Sequence, residues 1–361
     1  VSYFGRVPGT SIAYIRLDRF AHEAGREVRS AIESIKADGG FDGLILDLRD
    51  NPGGLLDAAV EISEMFVPRG SVIVSTSGRL PETRRVYRSE KEPLVGGTPL
   101  VVLVNGLSAS ASEIVAGAVQ DLDQGVVVGH TSFGKGLVQV VRGLPYNTSL
   151  KITTSRYYTP SGRSIQSASY GFGHAPKKKS ASADQMFSTT SGRTVRGGHG
   201  IEPDVSIDER RSPLESALQR KAAFFFFANH FAATRDTVDL DFVPDDSLIE
   251  EFEAWLAARE FTFEVPAESE MEELIAALSV SEVRNAGDEV DALLNAIHAE
   301  KDASFSRHRQ RLREHLRAEI VARFHGERDQ IRASFDSDEY VQEALAILSD
   351  ADRYKRILEG S

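Results

Sequence analysis

The serine-rich run Ser108–Ser112 contains the first candidate for nucleophilic chemistry. It lies between an apolar stretch, Leu100–Val104, and a segment with helical periodicity, Ala111–Asp121. A serine at the start of a helix faces free main-chain amides and the positive end of the helix dipole, which can stabilise an oxyanion. Ser110 is therefore a candidate nucleophile. The same sequence also fits a capping box, in which Ser110 and Glu113 only satisfy the first turn of the helix.

A lysine between two glycines is the candidate general base. Lys135 follows Ser110 by 25 residues, and no aspartate or glutamate lies within ten residues on either side of it. A lysine accepts a serine proton near neutral pH only when its amine is uncharged, which burial and positive neighbours favour. Apolar residues flank the glycines and can dehydrate the amine. Gln139 can orient the amine without adding charge, provided that the chain bends at Gly136.

The glycines around Lys135 also invite a reading as a phosphate-binding loop, because Gly129, Gly134 and Lys135 have the Walker A spacing. The next position should then be serine or threonine, but it is Gly136. A phosphate-binding loop must also start a helix, whereas Leu137–Val141 is β-branched. The sequence therefore disfavours a nucleotide hydrolase.

A third motif, Asp-Leu-Arg-Asp-Asn-Pro-Gly-Gly at residues 47–54, follows an apolar run and precedes the amphipathic segment Leu55–Phe66. Gly53 and Gly54 permit positive φ and let a ligand approach the main chain, so their amides can point at an anion. The alternative is an ordinary strand-to-helix turn. The spacing differs from Gly-x-Gly-x-x-Gly and does not predict dinucleotide binding.

The elements that must position these motifs alternate between strand and helix. The predicted runs are Ile12–Leu17, Glu23–Ala37, Leu44–Leu48, Leu55–Phe66, Ser71–Ser75, Leu100–Val104, Ala111–Asp121 and Val126–Val128. This alternation predicts an α/β core built on a sheet. The next two runs, Leu137–Val141 and Leu150–Arg156, lack an intervening helix, so part of the sheet should be antiparallel or mixed.

Charge divides the chain of 361 residues into two parts. Residues 1–212 hold 25 Lys+Arg and 22 Asp+Glu, whereas residues 213–361 hold 17 and 32. We therefore predict an α/β domain over 1–212 and a mostly helical, acidic domain over 213–361. Residues 167–200 are rich in serine, glycine and lysine, which predicts a flexible surface loop. Ser161-Gly162-Arg163 recurs as Ser191-Gly192-Arg193, which we interpret as two similar turns.

Composition excludes several classes of function. The chain has no cysteine, so it has no disulfide, thiolate metal site or cysteine nucleophile. The histidines of the second part lack the His-Glu-x-x-His zinc signature, and we expect no metal. The acidic second part argues against nucleic acid as a partner. No apolar run is long enough to predict insertion into a membrane.

Taken together and in this order, the three motifs resemble those of the C-terminal processing peptidases, the tail-specific serine proteases. The likeness covers about residues 1–208 and is supported by Thr159-Pro160-Ser161-Gly162-Arg163 and by Gly200-Ile201-x-Pro203-Asp204. It implies a crotonase-like core of mixed α/β fold. It assigns the catalytic roles to Ser110, Lys135 and Gln139, and the oxyanion hole to the amides of Gly53 or Gly54 and Ala111.

The resemblance implies a serine endopeptidase that cleaves protein or peptide substrates near their C-termini through a Ser–Lys dyad and an acyl-enzyme, without a cofactor. It also implies a periplasmic or envelope location, and a homo-oligomer formed through the helical domain, where Phe224–Phe227 looks exposed. Members usually carry a PDZ domain, which we do not expect in this sequence because Ile12–Leu17 already reads as the first core strand. The alternative is a catalytically idle scaffold that binds peptides or partners.

Overall fold

The computed structural model describes residues 1–167, 185–208, 212–280 and 287–360. The chain divides into two compact units, Val1–Ile207 with Asp338–Ser361, and Asp208–Ser337. This division differs from the predicted cut at Pro213, because residues 338–361 return to the first unit. Charge and helical periodicity do not distinguish a helix of one unit from a helix of the other, so the sequence did not show this return.

Twelve strands lie within the described ranges, all in the first unit. They are β1 (Tyr3–Arg6), β2 (Ile12–Arg16), β3 (Gly43–Asp47), β4 (Val72–Gly78), β5 (Arg85–Arg88), β6 (Leu100–Val104), β7 (Val126–Gly129), β8 (Leu137–Leu144), β9 (Thr148–Tyr158), β10 (Met186–Ser188), β11 (Thr194–Arg196) and β12 (Val205–Ser206).

The helices of the described ranges belong to both units. The first unit contains α1 (Ala24–Ala37), α2 (Leu56–Ser63), α3 (Ala111–Asp121), α12 (Glu339–Ser349) and α13 (Ala351–Glu359). The second contains α4 (Pro213–Arg220), α5 (Ala223–Ala232), α6 (Asp246–Ala257), α7 (Pro266–Val280), α8 (Gly287–Asp302), α9 (Ser304–Arg307), α10 (Arg309–His325) and α11 (Glu327–Ser334).

The main sheet of the first unit has the strand order β1-β2-β3-β6-β7-β12. β1 is antiparallel to β2, and the other neighbours run parallel. Every residue of β3, β6 and β7 is buried, as expected for parallel strands that are covered on both faces. Residues of α1, α2 and α3 share one core with this sheet, and α12 contacts β3, β6 and β7.

A second, antiparallel sheet has the order β5-β4-β9-β8. β8 and β9 form a hairpin whose register shifts between Val138 and Gln139. The two sheets and the helical second unit confirm the predicted mixed α/β core with a mostly helical C-terminal domain.

Two details differ from the sequence-based expectation. β1 precedes Ile12–Leu17, which is therefore not the first strand, and residues 185–200 are not a flexible loop, since they include the paired strands β10 and β11. Residues 168–184 of that predicted loop lie outside the described residues.

The two Ser-Gly-Arg turns place buried arginine side chains at the C-terminal end of α3. Arg163 pairs with Asp121 at 2.8 Å, and Arg193 pairs with Asp123 at 2.7 Å. The turns have the same main-chain pattern, in which each arginine carbonyl accepts the amide of the threonine four positions earlier. The interpretation as two similar turns holds, and both turns anchor the C-terminal end of the helix that Ser110 precedes.

The second unit has its own apolar core. Apolar residues at three- and four-residue steps along α6 and α10, among them Phe252 and Leu316, are buried together with residues of α4 and α5. Of the four consecutive phenylalanines, Phe224 and Phe227 are buried, while Phe225 and Phe226 are 46% and 54% exposed. Among the described residues we find no helix with the length and apolar character needed to cross a membrane.

Candidate active site

The three motifs follow three neighbouring parallel strands. Residues 47–54 leave β3, residues 105–110 leave β6, and residues 130–136 leave β7. Because β3 pairs with β6 and β6 pairs with β7, the carboxyl ends of all three lie at one edge of the sheet. This is where open parallel sheets place their ligand sites. The topology therefore brings together segments that are far apart in sequence.

Asn51 organises the turn after β3. Its side-chain amide donates to the Leu17 carbonyl at 2.6 Å, and its side-chain oxygen accepts the Gly53 amide at 2.9 Å. Its main-chain carbonyl accepts the Ala109 amide at 3.0 Å and the Ser112 hydroxyl at 2.9 Å. The first motif is thereby joined directly to the serine-rich segment.

The serines of residues 108–112 have different environments. Ser108 and Ser112 are fully buried, and their hydroxyls donate to the main-chain carbonyls of Leu48 and Asn51. Ser110 is only half-buried and has φ 57° and ψ −108° at the residue before α3. Positive φ is strained for a residue with a side chain, and strained strand-to-helix turns of this kind expose nucleophilic serines. Ser110 is thus the serine of this segment whose geometry fits a nucleophile.

The two predicted glycines of the oxyanion hole have different surroundings. A Cβ atom on Gly53 would lie 2.5 Å from the Ala109 carbonyl and 2.8 Å from both the Ala111 nitrogen and the Ser110 Cβ. This turn therefore packs against the start of α3, and only glycine fits there. The Gly53 amide is already engaged by the Asn51 side chain. Of the predicted donors, this leaves the amides of Gly54 and Ala111 as the candidates for binding an oxyanion.

Glu113 connects the serine segment to the lysine segment. Its Oε2 accepts the main-chain amides of Ser110 at 2.7 Å and Lys135 at 2.9 Å. Its Oε1 accepts the Gly134 amide at 2.7 Å and the Ser132 hydroxyl at 2.6 Å. The side chain is fully buried, and this burial raises the pKa of Glu113 although the four hydrogen bonds act in the opposite direction. Glu113 therefore does more than cap α3, because it holds both candidate catalytic segments.

The main chain on both sides of Lys135 is also fixed. The Gly134 carbonyl accepts the Ser167 amide at 2.9 Å, and the Gly136 amide donates to the Gln166 side chain at 3.0 Å. The Lys135 side chain is half-buried and forms no ion pair with any described residue. In the described ranges no side-chain hydrogen bond joins Ser110 to Lys135.

Gln139 lies on β8, directly after the register shift, and is exposed. Residues after Lys135 enter a strand rather than a helix, which confirms the argument against a phosphate-binding loop. Among the described residues Gln139 makes no hydrogen bond with Lys135. The structure thus brings Ser110, Lys135, Gly53, Gly54 and Ala111 to one edge of the sheet, and it places Gln139 on the adjoining hairpin without a contact to the lysine.

Two family models match parts of this chain. Residues 11–173 match the model described as peptidase family S41. We refer to residues 11–173, which are similar to this family, as the S41 region. Residues 214–348 match a second model, described as the C-terminal helical domain of a probable PDZ-protease. The S41 region contains all three motifs, and the helical match extends past the second unit into α12.

The S41 region is similar to proteins from bacteria and plants. It is 45% identical over 164 residues to the carboxy-terminal-processing protease of Bartonella bacilliformis, which covers 45% of this chain and 37% of that protein. It is 40% identical over 158 residues to the carboxyl-terminal-processing protease of Synechocystis, with 44% and 36% covered. It is 39% identical over 155 residues to the chloroplastic carboxyl-terminal-processing peptidase 1 of Arabidopsis thaliana, with 43% and 31% covered. The matches thus span only about a third of each relative's length.

The C-terminal segment supplies residues to the S41 region that the sequence did not predict. Arg49, in the first motif, donates to both carboxylate oxygens of Asp338 at 2.9 and 2.7 Å. The Arg49 guanidinium also lies 4.6 Å from the ring centre of Tyr340, and the Tyr340 hydroxyl lies 2.6 Å from His130 Nδ1. The segment therefore contacts the loops that follow both β3 and β7. No local pattern marks these residues, because each pair forms across a long stretch of chain.

Arg49 also neutralises a buried acid at the end of β3. The Asp47 carboxylate is fully buried and accepts hydrogen bonds from Arg49 and from the Tyr14 hydroxyl. Burial acts to raise the pKa of Asp47, but the Arg49 and Arg16 guanidiniums and the Tyr14 hydroxyl together outweigh it, and the pKa is lowered overall. The first motif of the S41 region thus contains an ionised, paired carboxylate below the Pro-Gly-Gly turn.

Proposed function

We propose that this chain is a serine peptidase that cleaves protein substrates near their carboxyl termini, with Ser110 as nucleophile and Lys135 as general base. The observation that carries the proposal is the Glu113 carboxylate. One of its oxygens accepts the amides of both Ser110 and Lys135. A catalytic pair needs its two groups at a fixed distance and orientation. A carboxylate that accepts hydrogen bonds from the main chain of both residues would fix their relative position at the carboxyl ends of β3, β6 and β7.

The proposed reaction has two stages. In the first, the uncharged amine of Lys135 takes the proton of the Ser110 hydroxyl while the oxygen attacks the peptide carbonyl. The tetrahedral intermediate then collapses, Lys135 protonates the departing amine, and an acyl-enzyme ester remains on Ser110. In the second stage Lys135 removes a proton from water, which hydrolyses the ester and restores the serine.

We assign stabilisation of the oxyanion to the amides of Gly54 and Ala111. Ala111 is the first residue of α3, where free amides and the helix dipole favour negative charge. The close packing of the Pro-Gly-Gly turn against Ala111 supports this pairing. Gly53 is not assigned as a donor, because its amide already donates to the Asn51 side chain. Its role is to allow the turn to pack closely against the start of α3. Gln139 is proposed to approach Lys135 only when a bound substrate shifts the β8–β9 hairpin.

Action near carboxyl termini is proposed because the relatives are named carboxyl-terminal-processing proteases. We also propose a location in the bacterial envelope and self-association through the helical unit. Phe225 and Phe226 are the exposed aromatics available for such association.

The test is hydrolysis of unfolded protein and of tailed peptides by the chain and three variants. Ser110→Ala and Lys135→Ala should each lower kcat by at least about a thousandfold, as for other residues that act as one catalytic unit. Lys151→Ala removes an exposed lysine from the neighbouring strand β9 and should leave the rate unchanged. Full activity in either of the first two variants would exclude the dyad.

A catalytically idle scaffold is the second candidate. It is favoured by the absence, in the described residues, of a side-chain hydrogen bond between Ser110 and Lys135. It predicts that the parent chain binds tailed peptides but does not hydrolyse them under any condition in which it is folded. Acyl-enzyme trapping distinguishes the two, because a mass increase on Ser110 requires a reactive nucleophile.

A further inference from the structure

The helical unit contains a surface cavity of about 300 Å³ with an aromatic wall. Phe226, Trp255 and Phe261 line it, together with Ala223 and Leu256. This volume is at the lower end for small-molecule sites and suits one or two side chains of a peptide. The cavity lies wholly within the second unit and away from the candidate active site in sequence.

Two positive side chains lie at the same cavity. Lys221 Nζ is 4.8 Å from the ring centre of Phe261, and the Arg259 guanidinium is 4.0 Å from that of Trp255. Residues 208–337 hold 28 Asp+Glu and 16 Lys+Arg, yet neither Lys221 nor Arg259 forms an ion pair with a described residue. Lys221 donates to the Thr262 carbonyl at 2.8 Å and Arg259 to the Trp255 carbonyl at 3.2 Å, so each has a neutral acceptor but no carboxylate partner. The described residues that line the cavity include no acidic residue. In an acidic unit, two cations without a carboxylate partner beside an apolar cavity favour a ligand that is both apolar and negatively charged.

The main chain adds hydrogen-bond donors that also favour an anionic ligand. Helix α5 begins at Ala223, which lines the cavity, and its N-cap residue Ala222 provides no side-chain cap. The amides of the first turn are therefore open to an anion. The Trp255 indole nitrogen is buried and has no hydrogen-bond partner among the described residues. These groups and the two cations all donate hydrogen bonds, as a carboxylate requires.

We propose that this cavity binds the free carboxyl terminus of a peptide whose last residue is apolar. The apolar side chain enters between Phe226, Trp255 and Phe261, and the terminal carboxylate binds Lys221 and Arg259. The choice of a peptide rather than another apolar anion rests on the proposed function, since a peptidase that acts near carboxyl termini must recognise them. The cavity would then bind a substrate tail within the helical unit.

Trp255 makes occupancy directly measurable, because it is the single tryptophan of the chain. The experiment titrates the full-length Ser110→Ala chain, which cannot form the acyl-enzyme, and follows tryptophan fluorescence. The probes are three peptides of about eight residues with one common sequence. One ends in leucine with a free carboxylate, one in leucine amide, and one in aspartate with a free carboxylate. The expected result is saturable binding of the first and at least roughly tenfold weaker binding of the other two. This comparison between peptides requires no substitution in the helical unit.

Variants then assign the binding to the two cations. Arg259→Gln and Lys221→Gln should each weaken binding of the first peptide at least roughly tenfold. Arg235→Gln is the matched control, since Arg235 also stacks on an aromatic ring of this unit, that of Phe231, but outside the cavity. It should leave the midpoint unchanged. The midpoint is the readout because removal of Arg259 also changes the starting intensity.

Several results would overturn the proposal. Equal binding of the acid and the amide would exclude carboxylate recognition. Binding of decanoate without binding of the leucine peptide would identify a lipid as the ligand instead. A fluorescence change that depends on protein concentration alone would indicate that a second copy covers the cavity.

The outcome is independent of the catalytic test. If the chain binds the peptide in this cavity but hydrolyses no substrate, the binding proposal stands and the peptidase proposal is wrong. If the chain hydrolyses substrates but does not bind the peptide here, the peptidase proposal stands and the binding proposal is wrong.

Discussion

Arg49 and Asp338 form a two-bond ion pair although 289 positions separate them. Arg49 belongs to the turn motif after β3, and Asp338 is the first residue of the segment that returns from the helical unit. Their side chains are 11% and 16% exposed, so the pair is largely removed from water. The C-terminal segment is therefore part of the first unit, and we expect it to contribute to the stability of that unit.

Asp338→Asn tests this contribution. Asparagine is as good an N-cap as aspartate, so α12 keeps its capping side chain while Arg49 loses a charged partner. We expect the free energy of unfolding to fall by about 1–3 kcal/mol, measured by urea denaturation of the full chain. Asp352→Asn, at an exposed position of α13, should change it by less than about 0.5 kcal/mol. An equal effect of both substitutions would contradict the assigned role of the ion pair.

Glu113→Gln should lower kcat without unfolding the chain. A glutamine has one acceptor oxygen, and its amide group would face the main-chain donors that Glu113 now accepts from Ser110, Gly134 and Lys135. Displacement of the catalytic segments by about 1 Å costs roughly a hundredfold in rate. Steady-state peptide hydrolysis measures the effect, and Glu33→Gln on the exposed face of α1 is the control. Unchanged kcat would mean that Glu113 only caps the helix.

Gly53→Ala should abolish most of the activity. Besides the positive φ of 94°, the new Cβ would lie 2.5 Å from the Ala109 carbonyl and would displace the turn that precedes α3. We expect a loss of at least about a hundredfold in kcat/KM. Gly9→Ala has the same kind of strain, with φ 72°, but open space around it. Its cost should be about 1 kcal/mol of stability with no change in rate, and a similar loss of rate in both variants would refute the steric argument.

The pH dependence of stability should report Asp47. Its pKa is lowered in the folded chain, so its contribution is present above the ordinary aspartate pKa of about 3.9 and is lost as pH falls through the lower, folded value. From about pH 5 downward, the parent chain should therefore lose free energy of unfolding more steeply than Asp47→Asn. Parallel pH profiles from urea titrations would show that the carboxylate of Asp47 is not the group responsible.

Much of the local structure could be inferred from residue types. The predicted segments Leu100–Val104 and Ala111–Asp121 coincide with β6 and α3. Side-chain periodicity and glycine position act over a few residues, and they are visible without a fold. The serine, the lysine and the Pro-Gly-Gly turn were candidates because of their immediate neighbours, but the resemblance of the three motifs together to a known family assigned their catalytic roles.

Contacts between distant segments could not be inferred in this way. The sequence indicated Glu113 only as a helix cap, and its contacts with Gly134 and Lys135 arise because β6 and β7 are neighbours in the sheet. The engagement of the Gly53 amide by Asn51 is local, but it depends on a side-chain orientation that no spacing reveals. The Arg49–Asp338 pair requires the chain to leave the first unit and return. The residue pattern determines helices and strands because it acts between neighbours along the chain. Which helices and strands come into contact depends on the strand order and on the return of the C-terminal segment to the first unit, and both depend on the packing of the whole unit.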